Sequence, residues 1–176
     1  MEKILVAIDR SNHSRRAVDL AAEMASRYDA KLLLLHVVEN RPLSQEEKRL
    51  AETEYSKEIE KRRRAGGVID TRTLETEGFV PVVASHVETG QIIHTVVGEG
   101  ILKTARNEAK LHGAKDVITI LENGDPAHTI LDVASRNKAD LIVIGSRGQS
   151  DIKALFLGSV SHEVTNLADG SVITVK

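Results

Sequence analysis

Leu141-Ile142-Val143-Ile144-Gly145-Ser146-Arg147-Gly148-Gln149-Ser150 is the stretch that decides the fold. Its first four residues are wholly apolar and too few for a helix, the pattern of a strand buried on both faces of a parallel sheet. Gly145 and Gly148 follow at once, in a loop where backbone N–H groups stand clear of side-chain bulk. After nine intervening residues, Gly158-Ser159-Val160-Ser161 opens a predicted helix that runs to about Ala168. A helix N-terminus made of Gly and Ser offers free N–H groups and the positive end of the helix dipole to an anion. One glycine here would mean only a tight turn. Three glycines and two serines in this order, straight after a buried strand, point to a phosphate cradle.

The same grammar extends outward in both directions. Ile4-Leu5-Val6-Ala7-Ile8 reads as a buried strand, broken by the turn and cap residues Asp9-Arg10-Ser11-Asn12. Ala17, Val18, Ala21, Ala22, Met24 and Ala25 recur at helical spacing up to about Tyr28. Lys31 opens a second strand, Leu32 to Val38. Further on, Val117–Leu121 reads as a strand and Gly124-Asp125-Pro126 as a helix start, with Asp125 as N-cap and Pro126 in the first turn. Ile130, Leu131, Val133 and Ala134 carry that helix to about Asn137, and Val172–Val175 closes the chain as a last strand. Strands alternating with helices predict an α/β fold: an open, doubly wound, five-stranded parallel sheet with helices on both faces. Ligands of such sheets sit outside the carboxyl ends of the strands, at the switch point. The loops after the first and fourth strands, at Asp9 and at Gly145, are therefore where chemistry is expected.

The middle of the chain obeys this grammar less well. Residues 46–64 hold thirteen charges in nineteen positions, and Glu58/Arg62 and Glu60/Arg64 are i,i+4 pairs in the favourable order. That predicts a solvated helix ended by Gly66-Gly67. Residues 68–91 carry no assignable pattern. A helix from Gln91 or Ile101 to His112 is expected to lead back to the sheet, with Gly98 and Gly100 weakening its first half.

Composition removes several classes. The chain has 176 residues, enough for one domain with a real core. It has no cysteine, which excludes disulfides, thiolate nucleophiles and cysteine-held metal. Twenty-four basic and twenty-six acidic residues leave a net charge of −2, a poor footprint for a nucleic-acid binder. The only aromatics are Tyr28, Tyr55, Phe79 and Phe156, too few to stack bases. No apolar run approaches the length of a membrane span or of a signal peptide, so a cytoplasmic protein without membrane insertion is expected.

Other catalytic and nucleotide motifs fail. There is no Walker loop, Gly98-Glu99-Gly100 lacks a third glycine, and Ile144 stands where a nucleophile elbow needs glycine. The seven histidines show no metal-binding spacing. His86 and His94 read as polar residues facing water, and His36 as a satisfied strand-end residue. Asp9 reads either as a turn or cap residue, or as an acceptor for a ribose hydroxyl or ligand of a metal.

Ile4–Ser11, Leu35-His36-Val37, Gly124-Asp125-Pro126 and the Gly145–Ser161 block together resemble the universal stress protein family, over about residues 1–40 and 92–176. The last block is the most specific. The resemblance implies a single domain over 1–176 with an extra helical insert between strands two and three, within about 42–90. It also implies ATP, or AMP or ADP, at the strand 1/strand 4 switch point, possible Mg through Asp9, and a homodimer built on the C-terminal strand. Carried across by residue, Asp9 matches the ribose and adenine end, and Ala7 and Val37 flank adenine. Gly145, Ser146, Arg147, Gly148, Gln149 and Ser150 match the loop around ribose and phosphates. Gly158, Ser159, Val160 and Ser161 match the segment whose N–H and hydroxyl groups hold the β- and γ-phosphates. Gln149 replaces a frequent basic residue, and Gly170-Ser171 replaces a frequent proline. The implied role is an ATP-binding regulator of a stress response. The alternatives are a slow ATPase, or a dimer that binds no nucleotide and recognises a protein through the insert.

Overall fold

The computed structural model describes residues 1–39, 41–64, 79–80, 89–148 and 157–176. β1 (Lys3–Ala7), α1 (Asn12–Tyr28) and β2 (Lys31–Val38) open the chain, and α2 (Gln45–Thr53) and α3 (Ser56–Arg64) follow. β3 (Phe79–Val80), α4 (Thr89–Leu111), β4 (Val117–Asn123) and α5 (Pro126–Asn137) come next, and β5 (Leu141–Gly145), α6 (Ser159–Leu167) and β6 (Ser171–Val175) complete it. The strands form one sheet in the order β3-β4-β2-β1-β5-β6. Every pairing is parallel. The five strands expected from sequence are all present. The two-residue β3 adds itself at the edge, opposite Thr119 and Ile120 of β4.

β1 lies at the centre, with Ile4–Ala7 opposite both Leu32–Leu35 and Leu141–Ile144. The chain winds from β1 toward β2 and β4 on one side and reaches β5 and β6 on the other. The direction reverses between β1 and β5, and this opens a crevice at their carboxyl ends. Successive side chains alternate across the sheet. Ile4, Val6, Leu32 and Leu34 thus pack with α1 and α4, through Ala17, Ala21 and Leu102. Leu5, Leu33, Leu35 and Ile142 pack with α5 and α6, through Ile130, Val133 and Val164. Both faces are covered, which is why the strands read as unbroken apolar runs.

Helix ends follow local chemistry. Ser11 caps α1, accepting from Ser14 N–H, and Asp125 caps α5, accepting from His128 N–H, with Pro126 in its first turn. Asp29 and Lys138 end those helices at φ 52° and 54°, and the N–H of each reaches back into the last turn.

Three expectations for the middle of the chain need correction. Residues 46–64 form two helices, broken at Glu54-Tyr55, and they bury Ala51 and Ile59 against Ile92 and Val96 of α4. The Glu58–Arg62 pair forms at 3.2 Å, but Arg62 also reaches Glu99 of α4 at 2.6 Å. The side chain of Arg64, and Gly66-Gly67, lie outside what the structure describes. Second, α4 runs unbroken through Gly98 and Gly100. A Cβ on Gly98 would stand 2.8 Å from His36 Cδ2 and from Leu121 Cδ1, and one on Gly100 would collide with the Tyr55 hydroxyl. The helix therefore trades propensity for close packing. Third, His94 is buried rather than on the surface. His86 lies outside the described residues.

Candidate functional site

A cavity of about 710 Å³ opens at the carboxyl ends of β1, β2 and β5. Of the residues singled out by sequence, Ala7, Asp9, Val37, Gly145, Arg147, Gly148, Gly158, Ser159, Val160 and Ser161 all line it. Ser146 is buried behind the wall, and Gln149 and Ser150 lie outside the described residues.

The β1 loop is held by its own side chains. Asp9 N–H donates to Ser14 Oγ (2.9 Å), and Asp9 Oδ1 accepts from Ser11 N–H (2.8 Å). Ser11 Oγ donates to the Arg147 carbonyl at 3.2 Å and so ties this loop to the one after β5. Asp9 is a turn residue through one oxygen. Its other oxygen, Oδ2, faces Gly148, where a Cβ would stand 3.2 Å away.

Ser146 anchors the second loop. Its N–H donates to Val175 (2.7 Å), and its carbonyl accepts from Gly158 N–H (2.8 Å). Ser161 Oγ also donates there, at 3.0 Å, and stands equally close to the Gly158 carbonyl. The Ser161 hydroxyl is thus turned into the protein, and Ser161 faces the cavity with its backbone. The first turn of α6 is held open. Gly158, its N-cap, supplies no side-chain cap, and the first intrahelical bond is His162 N–H to Gly158 oxygen, at 2.9 Å. Among the described residues, no hydrogen bond uses the N–H groups of Ser159, Val160 and Ser161. By contrast α1, α2 and α5 are each closed by their own cap. Three donors without a partner among the described residues, at a helix N-terminus beside a loop with no Cβ at Gly148, fit a phosphate group.

The opposite wall is one that the sequence reading missed. Arg41, Ser44, Glu46, Glu47 and His94 line it. Glu47 takes Arg41 in a two-pronged pair (2.8 and 2.9 Å) and accepts from Ser44 N–H (2.7 Å). Ser44 Oγ in return accepts from Glu47 N–H, which closes a capping box at the start of α2. Ser44-x-x-Glu47 was the available signal. Burial alone would raise the Glu47 pKa, but the Arg41 and Ser44 bonds outweigh it and bring it down to about 2. His94 Nε2 donates to the Arg41 carbonyl at 3.0 Å, and Nδ1 lies 3.6 Å from Glu47. Between the two walls lie apolar side chains, among them Val37, Val97, Ile101 and Ile130. Burial depresses the pKa of His36, against the opposing effects of its bond to Ile8 and of the nearby Asp9, Glu47 and Glu39.

A doubly wound parallel sheet with a cavity at its switch point defines an α/β domain with helices on both faces. Comparison with known proteins narrows this class. The universal stress protein family model matches residues 1–176, and the chain belongs to that family. It is 35% identical to the universal stress protein YxiE of Bacillus subtilis, over 99% of this chain and 98% of that one. Among solved structures, the universal stress protein UspA from Lactobacillus plantarum superposes with a TM-score of 0.67 at 21% identity, covering 99% of this chain and 97% of the other. A universal stress protein from Archaeoglobus fulgidus, in complex with dAMP, gives a TM-score of 0.59 at 21% identity, covering 100% and 98%.

Proposed function

We propose that this stress protein binds an adenine nucleotide in the switch-point cavity, ATP foremost, with ADP and AMP sharing its base and ribose contacts. The observation that carries the reading is the start of α6, which has no side-chain cap and whose residues Ser159, Val160 and Ser161 line the cavity. The β- and γ-phosphates lie there and along Gly145–Gly148. Asp9 Oδ2 takes a ribose hydroxyl, or a magnesium ion carried in by the nucleotide. Adenine lies between Ala7 and Val37, against aliphatic side chains rather than a ring, with the Val37 backbone at its edge. Gln149 and Ser150 belong to the same loop by sequence. The A. fulgidus relative solved with dAMP supports the choice of base.

The protein acts as a regulatory homodimer joined through β6. That strand ends the sheet, and its residues are half-exposed or exposed. Nucleotide occupancy then biases the dimer between states that differ in affinity for a partner. Mass spectrometry of freshly purified, denatured protein tests the binding. Released ATP, ADP or AMP is the expected result. If none is released and titration with Mg²⁺ and ATP to millimolar levels also gives no binding, the reading is overturned.

A further inference from the structure

The backbone of β2 faces β1 at alternate residues. Lys31 N–H donates to the Glu2 carbonyl, and the Leu35 carbonyl accepts from Ile8 N–H, both at 2.8 Å. The next bond in this parallel alternation runs from Val37 N–H to the Ile8 carbonyl. Among the described residues that bond is missing. The Ile8 oxygen is paired with His36 Nδ1 instead, at 2.7 Å. A carbonyl can only accept, so Nδ1 carries the proton. The ring is pinned from behind by α4, because Gly98 brings the helix so close that a Cβ would meet His36 Cδ2 at 2.8 Å. His36 and Val37 both line the cavity. An N–H facing an apolar wall without a partner is costly unless a ligand or water meets it.

We infer that His36 is the positioning residue of the base site: its imidazole takes the Ile8 carbonyl out of the β1–β2 ladder and so leaves the Val37 N–H free to donate to a purine ring nitrogen. This rests on the nucleotide reading above and gives that site its preference. Adenine presents a bare N1 to such a donor. Hypoxanthine carries a proton on N1 and opposes donor to donor. The base is thus read by backbone, and a side chain on the far face of the strand keeps that backbone free.

The test uses the full-length, ¹⁵N-labelled chain and two substitutions. In His36→Asn the amide nitrogen stands on Cγ, where His36 carries Nδ1, so the donor is kept. In His36→Leu it is removed, and the ladder bond is free to form. Amide exchange is read at Val37 and at its ladder neighbour Leu35, without nucleotide. Affinities are measured for AMP, IMP and ribose 5-phosphate. In the wild type and in His36→Asn, Val37 is expected to exchange roughly ten-fold faster than Leu35 or more. In His36→Leu it slows to the rate of Leu35, and the AMP-to-IMP preference falls about five- to ten-fold, the worth of one hydrogen bond. Ribose 5-phosphate affinity stays the same in all three, which a general loss of structure would not allow. Val37 as protected as Leu35 in the wild type would overturn the inference. So would a His36→Leu variant with wild-type exchange and preference. If His36→Leu does not fold, the wild-type exchange rates alone decide. If the wild type binds neither nucleotide, the nucleotide reading fails, and the exchange rates still settle whether His36 frees the amide.

Discussion

Gly145 and Gly148 stand three residues apart and do different work. A Cβ on Gly145 would lie 2.8 Å from Ser14 N and 2.9 Å from His13 C, which are backbone atoms at the start of α1. Gly145→Ala must push that helix off the sheet, and a loss of about 1–3 kcal/mol is expected in thermal unfolding. The nearest atom to a Cβ on Gly148 is a side-chain oxygen of Asp9, at 3.2 Å, which has room to turn. Gly148→Val is expected to melt near the wild-type temperature and to lose ATP in calorimetry. Equal binding by this variant would remove the phosphate from this loop. Ser161→Ala loses the buried bond to the Ser146 carbonyl and is expected to cost about 1 kcal/mol. At this scale the sequence was partly legible. The residue types pointed to loops that do line the cavity, yet the sequence does not distinguish a glycine that admits a helix from one that borders a cavity, because both leave the same letter. For Asp9 the structure shows the turn role, through Oδ1, and the ribose or metal role is left to Oδ2 as part of the proposal.

α2 meets the cavity through a cluster that responds to acid. The Glu47 pKa is about 2 in the folded chain, below its ordinary 4.5. A depressed carboxylate pKa means that the folded state holds the charged form more firmly than the unfolded chain does. Its stabilisation is therefore complete above about pH 4.5 and fades as the pH falls from there toward 2. Glu47→Gln is expected to flatten this limb when stability is followed by chemical denaturation between those values. An unchanged acid limb would mean that the Arg41 pair forms in the unfolded chain too. The strand and helix patterns of the first forty and last sixty residues were legible because the central strands are buried on both faces and the helices bury a periodic face against the sheet. α2 and α3 were legible only as charge, since a single apolar residue from each, Ala51 and Ile59, docks on α4. The unbroken course of α4 was hidden for the opposite reason: its glycines serve His36 and Tyr55, residues far away in sequence.

The order β3-β4-β2-β1-β5-β6 puts the two informative loops side by side although they are separated by more than a hundred residues in the chain. That neighbourhood follows from strand alternation and right-handed crossovers, so the meeting of the two loops was legible in the sequence. The wall contributed by α2 was not, because it depends on how a charged segment folds back across the sheet end. The order also leaves β6 at an edge. Its odd residues bond to β5, as Val175 does to Ser146 N–H, so the Thr174 N–H points outward. Proline is tolerated at such a position in an unpaired edge strand. Thr174→Pro is expected to turn a dimer into a folded monomer in analytical ultracentrifugation, and a dimer that survives would move the interface off this edge. The central claim is that an adenine nucleotide lies across the switch point with its phosphates on α6. Titration of the ¹⁵N-labelled chain with Mg²⁺ and ATP tests it most directly, by following every amide. Saturable shifts at Val37, Gly148, Ser159, Val160 and Ser161 are the expected result. No shifts at millimolar ATP, or shifts confined to residues away from this cavity, would contradict it.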